Sequence, residues 1–336
     1  MPRKGYTWSK GNGWIKVKMK EDAKYDGLGD GWPLFIGFMR AFPDFVLDLM
    51  RSPSAEFELS GIQRVFLRAN ARYQYVDITA CRGATKSYCI HLGEYLQDVF
   101  YPGVRSSIYG PSFKQTAAIA GQIFKQIQTN YPALTKYFVV ESASGDRFAL
   151  STQYNSRVSI EAFRGNTIHR VTAEEIAQES PIPFNTDEYK EAVIPSVRGE
   201  YKVNGKRSNA FPQFAQHTIT SAGRRQSYAY ENRKNHMTLM ERGESAFVID
   251  VPYDVILLEK MRPVEWAKNI RQELTGAEWV REMESVYSGS DKNPIVRDEV
   301  LTESRNLVMM EEHHCCKDRG NKFAPEDVIY IVGYDV

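Results

Sequence analysis

Residues 75–88, Tyr-Val-Asp-Ile-Thr-Ala-Cys-Arg-Gly-Ala-Thr-Lys-Ser-Tyr, decide how this chain is read. Val76, Ile78 and Ala80 alternate as in a short strand, and Cys81 to Thr85 make a turn. Lys86-Ser87 then opens a helical stretch carrying Ile90, Leu92 and Leu96. Strand, turn and helix in that order are the layout of a phosphate-binding loop. Backbone N–H groups at the helix N-terminus face the phosphates, a Lys reaches the terminal phosphates, and a hydroxyl holds Mg²⁺. The usual pattern G-x-x-x-x-G-K-[ST] places glycines at 80 and 85, where this chain has Ala80 and Thr85. A β-branched residue is disfavoured at the second position, because glycine there takes a positive φ. Lys-Ser pairs are also common on surfaces, so the rest of the chain must carry the assignment.

The bulk numbers leave that reading open and close others. A chain of 336 residues can bury a large core, in one large domain or two smaller ones. At 42% hydrophobic and 25% charged, its composition is that of an ordinary globular protein. The net charge of +1 gives no global field for nucleic acid, so any such binding falls to local patches. No apolar run is long enough to span a bilayer, and the basic N-terminus lacks a signal-peptide core. Four cysteines, one in the loop and two adjacent, make no disulfide framework and point to a reducing cytosol.

Along the chain, residues 1–30 read as a partly ordered arm, and 33–50 as a helix in two pieces broken at Pro43. From Tyr75 onward strands alternate with helices. Ser106–Tyr109 is a strand, Pro111 opens a helix buried through Ala118, Ile119, Ile123 and Ile127, and three β-rich runs follow at Val158–Phe163, His169–Ala173 and His217–Ser221. Such alternation predicts an α/β fold with a mainly parallel sheet flanked by helices. After residue 224, Trp266–Leu274 and Trp279–Tyr287 have helical spacing and heavy charge, which predicts a smaller, mostly helical subdomain.

A phosphate loop requires a partner strand ending in acidic residues, one for Mg²⁺ and one to orient the attacking water. His169-Arg170-Val171-Thr172-Ala173-Glu174-Glu175 fits, with Glu174 where an Asp is usual. Glu174-Glu175 would equally suit the first turn of a solvated helix. Phe163-Arg164-Gly165 ends its own strand and can supply positive charge to a transferring phosphoryl group. Gln63, in Leu59-Ser60-Gly61-Ile62-Gln63, can read an adenine edge. Thr218-Ile219-Thr220-Ser221-Ala222-Gly223 ends in hydroxyl and small residues suited to sensing a γ-phosphate.

Taken in order, Gln63, Arg82-Gly83-Ala84-Thr85-Lys86-Ser87, Arg164-Gly165, Glu174-Glu175 and Thr220-Ser221-Ala222 resemble the large terminase subunit of tailed bacteriophages. The resemblance covers roughly residues 55–225 well and the rest loosely. That family tolerates degenerate phosphate loops and carries an Arg within them, as at Arg82. It implies an ASCE-type P-loop NTPase that drives double-stranded DNA through a portal protein into a preformed capsid. It further implies a small terminase subunit as partner and a homo-oligomeric ring, commonly a pentamer, acting in the host cytoplasm with ATP and Mg²⁺.

In family terms the loop Cys81, Arg82, Gly83, Ala84, Thr85, Lys86 and Ser87 binds nucleotide, with Ser87 and Glu174 supporting the metal. Gln63 contacts adenine, Arg82 contacts phosphates, Glu175 polarises water, and Arg164 is a finger reaching a neighbouring subunit. Thr220-Ser221 would couple hydrolysis to movement. The implied division is an arm and helical segment to 54, an ATPase core over 55–225, a helical lid or linker over 226–325, and the first strand of an RNase H-like nuclease from 326. Ile329–Asp335 resembles that strand. One carboxylate cannot hold a two-metal cleavage site, so a chain cut at this boundary is expected not to cleave DNA.

Other segments offer less. His313-His314-Cys315-Cys316 lacks the intervening turn that a zinc site needs. Lys202-Val203-Asn204-Gly205-Lys206-Arg207 and Arg224-Arg225 could track duplex phosphates or be ordinary solvated charge, and Lys16–Lys20 could be an arm or docking segment. Two other readings stand beside the packaging motor: a helicase-like DNA-remodelling ATPase, and a protein whose Thr85 and Glu174 leave it a structural or assembly role.

Overall fold

The loop strand Tyr75–Ala80 lies in the middle of an eight-stranded, mostly parallel sheet. The computed structural model describes residues 6–9, 13–16, 31–161, 166–179, 181–210 and 213–289. The chain divides into two compact units after Ser288, and the first carries everything that follows. A hairpin comes first, β1 (Tyr6–Ser9) against β2 (Gly13–Lys16). The sheet strands are β3 (Tyr75–Ala80), β4 (Arg105–Tyr109), β5 (Phe138–Ser144), β6 (Arg147–Thr152), β7 (Arg157–Ile160) and β8 (Arg170–Glu174). After a second small hairpin, β9 (Lys202–Val203) and β10 (Lys206–Arg207), the sheet is completed by β11 (Ala215–Thr220) and β12 (Ala246–Val251). Its order is β12-β3-β11-β8-β4-β7-β6-β5, parallel from β12 to β7 and antiparallel through β6 and β5.

Helices cover the sheet. α1 (Gly31–Ala41) and α2 (Pro43–Met50) are divided at the predicted Pro43, whose fixed φ and missing N–H suit the first turn of a new helix. α3 (Gly61–Arg72) is amphipathic and sets Ile62, Phe66 and Leu67 against Val76 and Ile78 of β3 and Leu92 and Leu96 of α4 (Lys86–Phe100). Each of these buried apolar side chains stabilises the fold by about 1.5–3 kcal/mol. α5 (Phe113–Asn130) starts at an N-cap on Ser112, two residues inside the predicted start, and α6 (Pro132–Thr135) follows it. α7 (Thr186–Glu188) and α8 (Ile194–Ser196) flank a π-helical turn at Tyr189–Val193. α9 (Tyr228–Glu241) precedes β12, and α10 (Tyr253–Leu258), α11 (Val264–Glu273) and α12 (Gly276–Glu282) form a small helical segment with its own core of Ala267, Trp279 and Met283.

The structure moves one expected boundary. Ala246–Val251, in the stretch expected to leave the sheet at 225, pairs with β3 over its whole length and forms the sheet edge. The strand signal is in its own residues, apolar at every position but Asp250, which lies opposite Thr79 on the polar face of the sheet. Asp77 and Thr79 of β3 point toward α9, where Arg233 bonds Asp77, Thr79 and Asp250. That face is therefore polar, in a sheet type whose strands are usually apolar on both faces. Among the described residues of the region expected to be helical, helices lie on both sides of β12, at 228–241 and over 253–282. Among the described residues no helix is long and apolar enough to cross a membrane.

Candidate functional site at the end of strand β3

The Cys81–Thr85 turn forms without either expected glycine, and each omission has its own physical reason. Ala80 ends β3 in register with Val251 and needs no special backbone angle. Cys81 N–H continues the ladder to Val251 O at 2.9 Å. Gly83 takes φ +81. Thr85 does adopt the left-handed conformation that the pattern assigns to glycine, with φ 54 and ψ 34. Such a conformation costs a non-glycine residue roughly 1–3 kcal/mol and persists only where neighbours over-determine it. The neighbour here is Gln63. Its Nε2 donates to Thr85 Oγ1 at 2.6 Å, and Thr85 Oγ1 donates to Ala84 O at 2.8 Å.

Gln63 is thereby placed in a way the sequence did not disclose. It is the third residue of α3, and its Oε1 accepts from Ser60 N–H while Ser60 Oγ accepts from Gln63 N–H, a complete capping box. With both ends of its amide engaged and 2% exposure, Gln63 here serves the helix start and the loop turn.

Lys86 and Ser87 open α4. Ser60, Ser112, Ser227 and Thr275 cap α3, α5, α9 and α12 through their side chains, but Thr85 gives α4 no such cap. First-turn N–H groups of a 15-residue helix are thus left for an anion. Lys86 is 8% exposed, with its ammonium folded back onto Ala80 O at 2.9 Å, Cys81 O at 3.4 Å and Ser221 Oγ at 3.0 Å. Cys81 is an inert wall of this cradle. Burial pushes its thiol up to about 11 despite the nearby Lys86, and Cys89 beneath it goes to about 12.

The acidic pair arrives from β8, which is separated from β3 by β11 alone. Glu174 is the buried last residue of that strand. Burial opposes its charge, but His91, the Ser87 hydroxyl and the Lys86 ammonium outweigh it and hold the carboxyl below the usual carboxylate range. His91 is a residue the sequence reading missed, although it stands one helical turn beyond Ser87. Its Nδ1 meets Tyr95 Oη at 3.1 Å, while its Nε2 faces Glu174 Oε1 at 3.7 Å, too far for a hydrogen bond. Both atoms are buried without another hydrogen-bond partner.

Glu175 departs from the strand with φ 51, which turns its carboxylate toward the loop. Its Oε1 lies 3.8 Å from Lys86 Nζ, and its Oε2 accepts from Ser221 N–H at 3.4 Å. Ser221, just after β11, therefore touches both Lys86 and Glu175. Thr220 Oγ1 holds the turn after Glu175 by accepting from Ala177 N–H at 3.2 Å.

Arg82 is engaged elsewhere. Its side chain donates to Glu282 Oε2 at 2.8 Å, and its backbone N–H donates to Glu282 O at 3.0 Å. The α11–α12 segment also covers Gly83, where an added Cβ would come within 2.8 Å of the Trp266 ring. Arg164 and Gly165 lie outside the described residues, as do Ile329–Asp335, His313–Cys316 and Lys18–Lys20. Arg224 pairs with Glu179, and the exposed Arg225 donates to Tyr287 O, so both guanidinium groups have partners within the chain. Lys206 and Arg207 are exposed on the β9–β10 hairpin.

The donor set matches phosphate and a hard cation. A buried lysine, an uncapped helix start and a hydroxyl face an ionised carboxylate whose Oε1 has no hydrogen-bond partner. No three His, Cys, Asp or Glu side chains converge as a metal cage among the described residues.

A phosphate loop after β3, an acidic strand two places away and β11 between them define the ASCE-type P-loop NTPase fold. No family model matches the sequence, and no curated protein matches it. Among solved structures the chain is similar to the large terminase of bacteriophage HK97, with a TM-score of 0.54 and 13% identity, covering 79% of this chain and 58% of that one. It is also similar to the large terminase of a thermophilic bacteriophage (TM-score 0.50, 8% identity, 70% of this chain and 55% of that one). The large terminase ATPase domain of Thermus phage P74-26 gives a TM-score of 0.48 at 16% identity, over 69% of this chain and 94% of that one. The fold is that of the phage large terminases, and the match spans little more than half the length of the first two of these chains.

Proposed function

We propose that this chain is an ATP-hydrolysing motor of the terminase type, which moves double-stranded viral DNA into a procapsid. The observation that carries the reading is the series Lys86–Ser221–Glu175, which joins a phosphate-loop lysine, the end of the inserted strand and a polarised carboxylate in one site. Terminase-like architecture supports the packaging assignment over other P-loop machines.

In this reading the triphosphate lies along the N-terminus of α4. Lys86 leaves its backbone carbonyls for the terminal phosphates, exchanging neutral partners for an ionic one. Ser87 and Glu174 hold Mg²⁺, which supplies charge neutralisation to the phosphates. Glu175 orients the attacking water, and its distorted backbone keeps the carboxylate aimed at the loop. Ser221 senses the change, because its side chain and backbone bond the two groups that respond to the γ-phosphate. Movement then passes along β11. Arg164 belongs to the same reading as a finger completing a neighbour's site in a ring, with portal protein and small terminase subunit as partners.

Steady-state hydrolysis and nucleotide binding test this. Lys86→Ala is expected to lower both. Glu175→Gln is expected to bind ATP normally while turnover falls on the order of 10²-fold or more. Near-normal turnover in Lys86→Ala would remove the site assignment, and lost binding in Glu175→Gln would remove the role of Glu175. In mixed assemblies, Arg164→Ala subunits should depress DNA-stimulated turnover more than in proportion to their share. A proportional fall would argue against an intersubunit finger.

A further inference from the structure

Two arginines border the phosphate loop, and the structure treats them differently. Arg82 belongs to the loop, yet its guanidinium is paired with Glu282 and its backbone N–H with the carbonyl of the same residue. Arg262 comes from the turn between α10 and α11, about 180 residues away in sequence. Its Nε stands 3.3 Å from where a Cβ on Gly83 would be, and no carboxylate pairs with it among the described residues.

That turn is pinned from three sides. Glu259 Oε2 accepts from Ile62 N–H at 3.2 Å, at the N-terminus of α3 where a carboxylate is favoured. Ser60 Oγ donates to Met261 Sδ at 3.3 Å. Trp266 of α11 also closes on Gly83, leaving no room for a Cβ. An exposed cation held against a phosphate loop, with no counter-charge paired to it among the described residues, is a positive charge of the kind a polyphosphate neutralises.

We propose that Arg262 is the arginine of this subunit that meets the nucleotide phosphates, and that Arg82 is a positioning residue. Through Glu282, Arg82 holds α11 and α12 over the loop and so keeps Arg262 in place. The proposal rests on the nucleotide-site reading above and reassigns the phosphate contact that the family resemblance gives to Arg82. It accounts for Gly83 as well: a side chain there would displace Trp266 and carry Arg262 with it.

The test is equilibrium binding of Mg·ADP and of a non-hydrolysable Mg·ATP analogue to the full chain, with folding checked by circular dichroism. Arg262→Ala is expected to weaken analogue binding about 10- to 100-fold, the range of a lost charge-assisted bond, and Arg262→Lys to restore part of it. Arg82→Ala and Glu282→Gln are each expected to weaken binding only about two- to fivefold, as befits an exposed ion pair. Their combination should be no worse than either alone, and the swap Arg82→Glu with Glu282→Arg should recover most of the loss. A tenfold or greater loss in Arg82→Ala, with Glu282→Gln unchanged, would return the phosphate contact to Arg82 and overturn the proposal. So would Arg262→Ala binding within twofold of the parent while Lys86→Ala binds weakly. Normal binding by Lys86→Ala would instead sink the nucleotide-site reading itself.

Discussion

Thr85 shows how a single residue can depart from a motif and still serve it. The backbone requires a positive φ, the side chain disfavours it, and Gln63 supplies the compensating bond. Thr85→Gly would relieve strain but lose that bond and make the unfolded chain freer. We expect its stability to stay within about 1 kcal/mol of the parent. Gln63→Ala removes the capping box and the latch together and should cost about 1–3 kcal/mol. In urea denaturation the double variant should lose less than the sum of the two, because both act on one bond. Strict additivity would show that Gln63 does not hold the turn. The sequence made Gln63 visible as a polar residue before the loop strand. Its partner was hidden, because a contact across 22 residues leaves no periodic trace.

At the scale of elements, the β9–β10 hairpin presents exposed basic residues and is the place to test the proposed DNA grip. Asn204 and Gly205 both take positive φ, as a two-residue hairpin turn of this kind requires, and the turn leaves Lys206 and Arg207 exposed. Replacing both with Ala should weaken duplex binding at low salt and reduce the slope of log affinity against log salt by about 2, one unit for each phosphate no longer neutralised. An unchanged slope would exclude the hairpin from the DNA path. The strands carrying the site were legible, since β3, β8 and β11 fall within two residues of their predicted spans. β12 was passed over although it is apolar at every position but Asp250, because it lies between the charged run Glu241–Glu244 and segments of helical spacing. The β5–β6 hairpin was also missed: exposed Val139 and Val140 sit side by side at a bulge, which breaks the period-two pattern.

For the whole molecule, buried titratable groups set the acid limb of stability. His236 packs against Tyr75, and burial pushes its pKa down to about 4, while burial and Arg170 hold His217 well below its usual range. In the unfolded chain both titrate near pH ~6.5. Below that pH the unfolded chain binds protons that the folded chain refuses, so stability falls as pH drops from about 6.5 toward 4. Asp98 works in the opposite direction, because burial and Glu94 raise its pKa and the folded state keeps a proton that the unfolded chain releases. Comparing the parent with His236→Phe isolates the first effect. Between pH 7 and pH 4.5 the variant should lose roughly 2 kcal/mol less stability. Equal losses would mean that His236 takes up its proton within the fold.

The N-terminus of α3 has a consequence that reaches past the site. Ser60 N–H is held by Gln63, Gln63 N–H by Ser60, and Ile62 N–H by Glu259 of the helical segment. Helix-start amides of this kind ordinarily exchange with solvent almost freely. Here the protection of Ile62 reports the docking of a segment 197 residues away, and that of Ser60 reports the side chain that secures the loop. Deuterium uptake at these two amides would therefore read separately when the helical segment lifts and when the turn relaxes. Simultaneous exchange at both would mean that segment and turn open as one unit.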